Sequence, residues 1–264
     1  MTKKQADGEA EDHATSPPSA KDNVTMGEPA PLEKRPNVQV RALGPAEAAA
    51  AAAVLAQAFD QEPAKLTMLP HAPRRRLFLE TMMNVRVYDA TRYGTVHGAE
   101  IDGELGAVAL WYPPGVPMLS MAGAGRMMLA MLSLTGSILR VCPHIMRLML
   151  SDLRAFVALL RQRRPAVIRA TQGLTWRLDL LGTLPAQRGK GLARALLERQ
   201  LHRCDQDGAA AWLEATDPVN PPIYERFGFN TIAHIDGPAW LLGYWIMRRD
   251  PQTRSQPPIS QQPD

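Results

Sequence analysis

The residues from Leu178 to Leu197, LDLLGTLPAQRGKGLARALL, combine the parts of an anion site. A hydrophobic strand runs to Thr183, Pro185 stops its ladder, and a loop with Gly189 and Gly191 opens into a helix with Leu192, Leu196 and Leu197 on its apolar face. Glycines let a backbone approach a ligand closely, and free N–H groups at a helix start favour an anion, as do Arg188 and Lys190. The chemistry implied is phosphate binding. A nucleotide P-loop requires GxxxxGK followed by Ser or Thr, whereas six residues separate Gly182 from Gly189 and Leu192 stands two past Lys190. The dinucleotide GxGxxG also fails, because its last glycine would fall on Arg194.

The elements that must position this loop alternate along the chain. Val38 to Ala42 reads as a short strand, and Pro45 to Phe59 as an alanine-rich helix with Pro at its start, where a missing N–H costs little. Arg74 to Val87 reads as helix. Thr95 to Ile101 and Glu104 to Trp111 read as strands joined across Asp102-Gly103, a tight hairpin signal. Trp176 to Thr183 is a strand, Gly189 to Asp205 a helix, Ala211 to Ala215 a strand and Pro222 to Arg226 a helical turn. Thr231 to Ile235 and Trp240 to Met247 close the chain as strands, giving mixed α/β order with antiparallel strand pairs.

Outside this body lie two polar tails. Residues 1–37 hold Pro, Ala, Ser and charge with no two adjacent large apolar residues, too little to offset ordering entropy. No apolar run follows Lys3 and Lys4, so the segment reads as neither signal peptide nor membrane anchor. Residues 251–264, with QPP and QQPD, read as a second disordered tail. One folded domain is expected over 38–250, within a 264-residue chain of ordinary globular composition. Cys142 and Cys204 form no CxxC or Cys/His pattern, which suits a reducing, cytoplasmic setting and offers no metal site. His71, His97, His144, His202 and His234 show no ligand spacing either.

Charge is unevenly placed. The first 37 residues carry five Lys/Arg against seven Asp/Glu, so the net +4 belongs to the body. Between Arg126 and Arg169 stand eight arginines against the single acid Asp152. This run reads as a solvated helix face, or as a surface for an anionic cofactor, a lipid or a nucleic acid. Nucleic acid is disfavoured, because the run lacks aromatic interleaving and the chain lacks a zinc finger or RRM signature. The run overlaps an apolar stretch whose longest uncharged segment after Arg126, Met127 to Leu139, is too short to span a bilayer. Two helices are predicted there, about 118–141 and 144–163. The second places Met149, Leu153, Phe156, Val157 and Leu160 in a core stripe opposite Arg154, Arg161 and Arg163.

Arg188-Gly189-Lys190-Gly191-Leu192-Ala193, with Pro185 three residues earlier, resembles the [Q/R]xxGx[G/A] pyrophosphate loop of the GNAT superfamily of acyl-CoA-dependent N-acyltransferases. Asn220-Pro221-Pro222-Ile223-Tyr224-Glu225-Arg226-Phe227-Gly228-Phe229 resembles that family's Asn, Tyr, Gly-Phe segment. Ala211-Trp212-Leu213-Glu214-Ala215-Thr216, Trp176, Ala107 to Trp111 with Pro113, and the two helices between them are similar to the puromycin N-acetyltransferase-like branch. The resemblance covers most of 38–250. It implies a mixed, mostly antiparallel twisted sheet flanked by helices, with a helical insert before the cofactor-binding strand. It further implies that the backbone of Leu181, Gly182 and Thr183 pairs with the pantetheine amides. The N–H groups of Arg188 to Ala193 would cradle the pyrophosphate, Asn220 would contact the cofactor arm, and Tyr224 would protonate the leaving thiolate.

The reaction so implied is attack of an amine on the thioester of acetyl-CoA, with an oxyanion beside a strand N–H and departure of the thiolate. An aliphatic amine with a pKa near 10.4 is neutral in only about one part in a few thousand at pH 7, so a base or water chain must take its proton. Asp179 and Glu214 are the candidates. Asp179 could instead pair with Arg177 or Arg169, and Glu214 could be a structural or acceptor-holding carboxylate. Trp111, Tyr112 and the Met-rich helices could wall an acceptor pocket. Three functions follow in order: an N-acetyltransferase acting on a small amine; one acting on protein Lys or N-terminal amines; and a non-catalytic acyl-CoA-binding, membrane-peripheral module.

Overall fold

The computed structural model describes residues 37–116, 153–237 and 243–252, with helical positions 121, 123, 125, 126, 128 and 129. A seven-stranded sheet runs through them in the order β1-β2-β3-β4-β5-β7-β6. The strands are β1 Val38–Ala42, β2 Thr95–Ile101, β3 Glu104–Tyr112, β4 Thr175–Thr183, β5 Ala210–Ala215, β6 Asn230–Ile235 and β7 Tyr244–Arg249. Neighbours are antiparallel except β4 and β5. The β2–β3 hairpin turns on Asp102 and Gly103, both at positive φ (53° and 80°), as a tight primed turn requires.

The helices are α1 Ala48–Phe59, α2 Pro63–Met68, α3 Ala72–Tyr93, α4 Leu153–Ala170, α5 Leu192–Gln206 and α6 Pro221–Glu225. One sheet face is covered by α5, whose Leu192, Leu196, Leu197 and Leu201 pack on Ala109, Trp111, Leu178, Leu213 and Met247. The other is covered by α1 and α3 over β2, β3 and β4, and by α2 and α4 over Trp212, Ile235 and Ile246. Alanines bring α1 close to the sheet. A Cβ on Gly182 would lie 2.9 Å from both Ala58 Cβ and Leu55 Cδ2, so β4 needs a glycine there.

Several bounds differ from those read in the sequence. The helix α2 was not anticipated, although Glu62-Pro63 carries a start signal in Pro at the first helical position. The helix α3 runs to Tyr93 rather than Val87. The insert helix expected to stop at 163 continues to Ala170 through Pro165. Pro165 lies on the exposed side of α4, where water can serve the carbonyl that its ring deprives of a donor. Its core stripe also differs. Val157 lies beside Arg154 and Arg161 on the outer side, while Leu159, Ala166 and Ala170 are buried and Arg163 turns inward to Glu214.

Residues 144–152, Met149 among them, and most of 118–141 lie outside the described residues, as do Trp240, Cys142 and His144. The last strand reaches Arg249. Arg249 is buried, gripping Asp205 of α5 through two 2.7 Å hydrogen bonds and donating from Nε to Phe227 O. The N–H of Gln252 also donates to Asp205, at 2.8 Å. No described helix is long and apolar enough to cross a membrane.

Candidate functional site

The pairing of β4 with β5 ends at Leu178↔Leu213, although β4 continues to Thr183 and β5 to Ala215. The two parallel strands therefore part, and one edge of β4 from Asp179 onward is not paired with β5. Its other edge stays in the sheet, with Leu181, Gly182 and Thr183 opposite Ala109, Val108 and Ala107. A bulge marks the parting. Leu110 opposes Leu180 and Trp111 opposes Leu178, so Asp179 is the extra residue on β4.

Beyond β4, Pro185–Gln187 form a single 3₁₀ turn, and the chain reaches α5 through Gly189 and Gly191, with φ of 79° and 89°. These left-handed positions delay the helix to Leu192, three residues later than the sequence suggested. Residues 188–191 are exposed. The N–H groups of Gly189 to Arg194 have no backbone acceptor among the described residues, as the first turn of a helix requires. Arg188 donates to Ala58 O at the end of α1 (3.1 Å), and Lys190 donates to the Gln187 side chain (2.9 Å). Both cations thereby stay beside the free N–H groups. Open backbone, two cations and an unpaired strand edge suit an anion carrying an amide-bearing arm, which is the chemistry of coenzyme A.

The second motif folds next to this opening. Asn220 caps α6, its carbonyl accepting from the N–H groups of Ile223 and Tyr224. The Tyr224 ring packs edge-on to buried Phe229 at 5.9 Å, and burial pushes its phenol up to about 12. Tyr224 is thus a phenol, not a phenolate, at neutral pH.

The two carboxylates occupy different settings on the α1–α4 side of the sheet. Asp179 is 2% exposed and held by Arg86 of α3 at 2.5 Å, with Arg177 Nε at 3.6 Å. The partner foreseen at Arg169 is not used; Arg169 is exposed. Burial works against the Arg86 guanidinium, yet Asp179 outweighs it and holds the arginine above its usual range. Burial lowers Arg177, partly offset by Asp179, and its guanidinium lies 4.6 Å over the Tyr112 ring. Glu214 is 19% exposed and meets Arg163 of α4, with Nε 2.8 Å from Oε1 and Nη2 2.9 Å from Oε2. Tyr244, within electrostatic reach of Glu214, Arg163 and Glu62, is raised by burial and by these carboxylates. Glu62 accepts from Thr216 Oγ1 at 2.5 Å, tying the α1–α2 connection to the end of β5.

Trp111 does not wall this side, because its ring is in the core under α5, and Tyr112, whose hydroxyl donates to Asp89 at 3.3 Å, is itself fully buried in the core under α1 and α3. The sequence missed Arg86, Glu62, Tyr244 and the α4 origin of the Glu214 partner. Among the described residues no group of three or more His, Cys, Asp and Glu side chains converges on one point.

Comparison with known proteins finds a family model that matches part of this geometry. Residues 143–237 match the acetyltransferase (GNAT) domain. An uncharacterized N-acetyltransferase of Schizosaccharomyces pombe is 31% identical over 110 residues, 41% of this chain and 44% of that protein, so the chain matches less than half the length of its curated relative. Two crystal structures share the fold at a TM-score of 0.52. One is a histone acetyltransferase HPA2 and related acetyltransferase from Corynebacterium glutamicum (18% identity, 83% of this chain and 99% of that one). The other is arylalkylamine N-acetyltransferase 2 from Aedes aegypti (15% identity, 82% and 100%). Within this chain, residues 143–237 are thus similar to a GNAT acetyltransferase domain, and the fold is shared with solved acetyltransferases.

Proposed function

We propose that the protein transfers an acetyl group from acetyl-CoA to the primary amine of a small molecule by direct attack on the thioester. The observation that carries this reading is the parting of β4 from β5 directly before a loop of open N–H groups flanked by Arg188 and Lys190. Acetyl-CoA supplies an activated acyl group. The backbone of Leu181, Gly182 and Thr183 holds its pantetheine arm, the N–H groups of Gly189, Lys190, Gly191, Leu192 and Ala193 hold the pyrophosphate beside the Arg188 side chain, whose own N–H donates to Pro185 O, and Asn220 lies beside the arm.

Tyr224 delivers its proton to the departing thiolate, a role that its retained phenol proton supports. Glu214, the more exposed carboxylate, takes the proton of the incoming amine once Arg163 yields one oxygen. Asp179, buried between two arginines, is the less able base and fixes the bulge of β4. A small acceptor is favoured over a peptide because α2 and α4 cover the sheet face that carries Glu214.

Thiol release from acetyl-CoA across aminonucleosides, polyamines, amino acids and Lys peptides tests the reading. Tyr224→Phe should lower kcat by about 10²-fold or more with little change in acetyl-CoA affinity. A full rate in that variant removes Tyr224 as the acid, and turnover on peptides alone overturns the small-molecule acceptor.

A further inference from the structure

The helix α4 has a face that the fold does not use. At about 3.6 residues per turn, Leu159, Arg163, Ala166 and Ala170 point to the sheet. Arg154, Arg161, Pro165 and Ile168 then fall on the opposite side, flanked by Arg164 and Arg169. All six of these outward residues are exposed. The helix holds no Asp or Glu, and none of Arg154, Arg161, Arg164 and Arg169 has a carboxylate partner among the described residues. Arg163, the fifth arginine, is the one that turns inward. Between the outward arginines lies apolar surface. Arg154 and Arg161 border a hollow with Val157 and Ala158 on its floor, Ile168 is 55% exposed, and Leu174, four residues past the helix, is 53% exposed.

We propose that this face of α4 seats the protein on an anionic lipid bilayer. Four guanidinium groups with no carboxylate partner among the described residues repel one another and gain from a dense layer of phosphates, which each can grip with two hydrogen bonds. Polybasic segments near an anionic membrane gain about fivefold in binding per Lys or Arg. The interspersed Val157, Ala158 and Ile168 fit the boundary between headgroups and acyl chains, where an amphipathic helix lies flat. A nucleic acid duplex offers the phosphates without a sink for those aliphatic side chains. The preceding sequence continues the composition, with Arg126, Arg140 and Arg147 around the uncharged run Met127 to Leu139. Because the inward face holds Glu214 through Arg163, the bilayer would lie about one helix diameter, roughly 10–12 Å, from that carboxylate.

The test is co-sedimentation of the full chain with vesicles of phosphatidylcholine alone or mixed with phosphatidylglycerol. Binding should require phosphatidylglycerol and be lost on raising salt from about 0.1 to 1 M, which shortens the screening length from about 10 to 3 Å. Arg154→Glu with Arg161→Glu should weaken it about thirtyfold or more, and Arg154→Gln with Arg161→Gln should give a smaller loss in the same direction. Arg76→Glu with Arg92→Glu, equal in charge but on α3, should change it less than about threefold. Thermal melts matched to the parent show that each variant is folded. No binding to phosphatidylglycerol vesicles, equal loss in both Glu pairs, or preference for a DNA duplex over vesicles overturns the proposal. None of these outcomes depends on acetyl transfer.

Discussion

The two faces of the sheet solve the burial of their neighbours in opposite ways. Under α5 the packing is mostly hydrocarbon. Its polar exceptions are Gln200, the Arg249–Asp205 pair near the helix end, and His97, which is kept neutral: burial and the nearby Arg199 and Arg203 bring its pKa down to about 4. Under α1, α3 and α4 the packing is interrupted by ion pairs, Arg75–Asp60, Arg86–Asp179, Arg126–Asp89 and Arg163–Glu214. The dry face gives α5 a fixed seat from which its first turn presents N–H groups. The charged face places carboxylates beside the opening between β4 and β5, where the proposed amine acceptor would be received. In that reading one side supplies rigidity and the other proton traffic.

Substitutions can break this contrast. The largest effect is expected for Arg86→Ala, which leaves Asp179 buried beside Arg177 alone and should cost about 3–5 kcal/mol of stability. Denaturant midpoints of the parent, Arg86→Ala and the double variant with Asp179→Asn measure it, and the double variant should recover part of the loss.

Next is acid on the dry face. His97 has a folded pKa of about 4 against an unfolded value of 6.5, so its contribution is complete above pH 6.5 and disappears as pH falls toward 4. The loss amounts to about 3 kcal/mol at about 1.4 kcal/mol per unit. Urea unfolding at pH 7 and pH 5 should show a slope that His97→Phe flattens.

Gly182→Ala should cost about 1–3 kcal/mol, because the added Cβ collides with α1 on the charged face. Calorimetric melting reads it. The smallest effect is expected for Gly191→Ala, where the added Cβ meets nothing and only the left-handed backbone is strained, by about 1–2 kcal/mol. Acetyl-CoA titration should show about tenfold weaker binding, with a melting temperature lower by about 2–8 °C.

The contrast also explains what the sequence could show. The Asp102-Gly103 turn and the strands of its hairpin are local and stand where they were read; the loop from Arg188 is also written in neighbouring residues, though its helix starts three residues later. The ion pairs are not local. Arg86 and Asp179 are 93 positions apart, and Arg163 and Glu214 are 51 apart. Neither arginine could be told from a solvated one by its neighbours. Arg163 in particular sits between arginines that do face solvent, and only the arrival of β5 beneath α4 singles it out. Pro165 misled for a related reason, since a proline ends a helix when its surroundings cannot serve the freed carbonyl, and here they can. Arg248 and Arg249 lay past the strand expected to end at Met247, yet they extend β7. Arg248 donates to Ala170 O and Gln172 O, and Arg249 closes on Asp205.

The place of β7 has a consequence for synthesis. Among the described strands it is the last to leave the ribosome, and it inserts between β5 and β6, which are made earlier. Until then, among the described strands, β5 has an unpartnered edge on the side away from β4, and β6 has no neighbour. A nascent chain ending before Tyr244 therefore exposes strand edges that invite pairing with other chains. Termination before Tyr244, 21 residues short of Asp264, would yield an aggregation-prone product rather than a merely shorter chain.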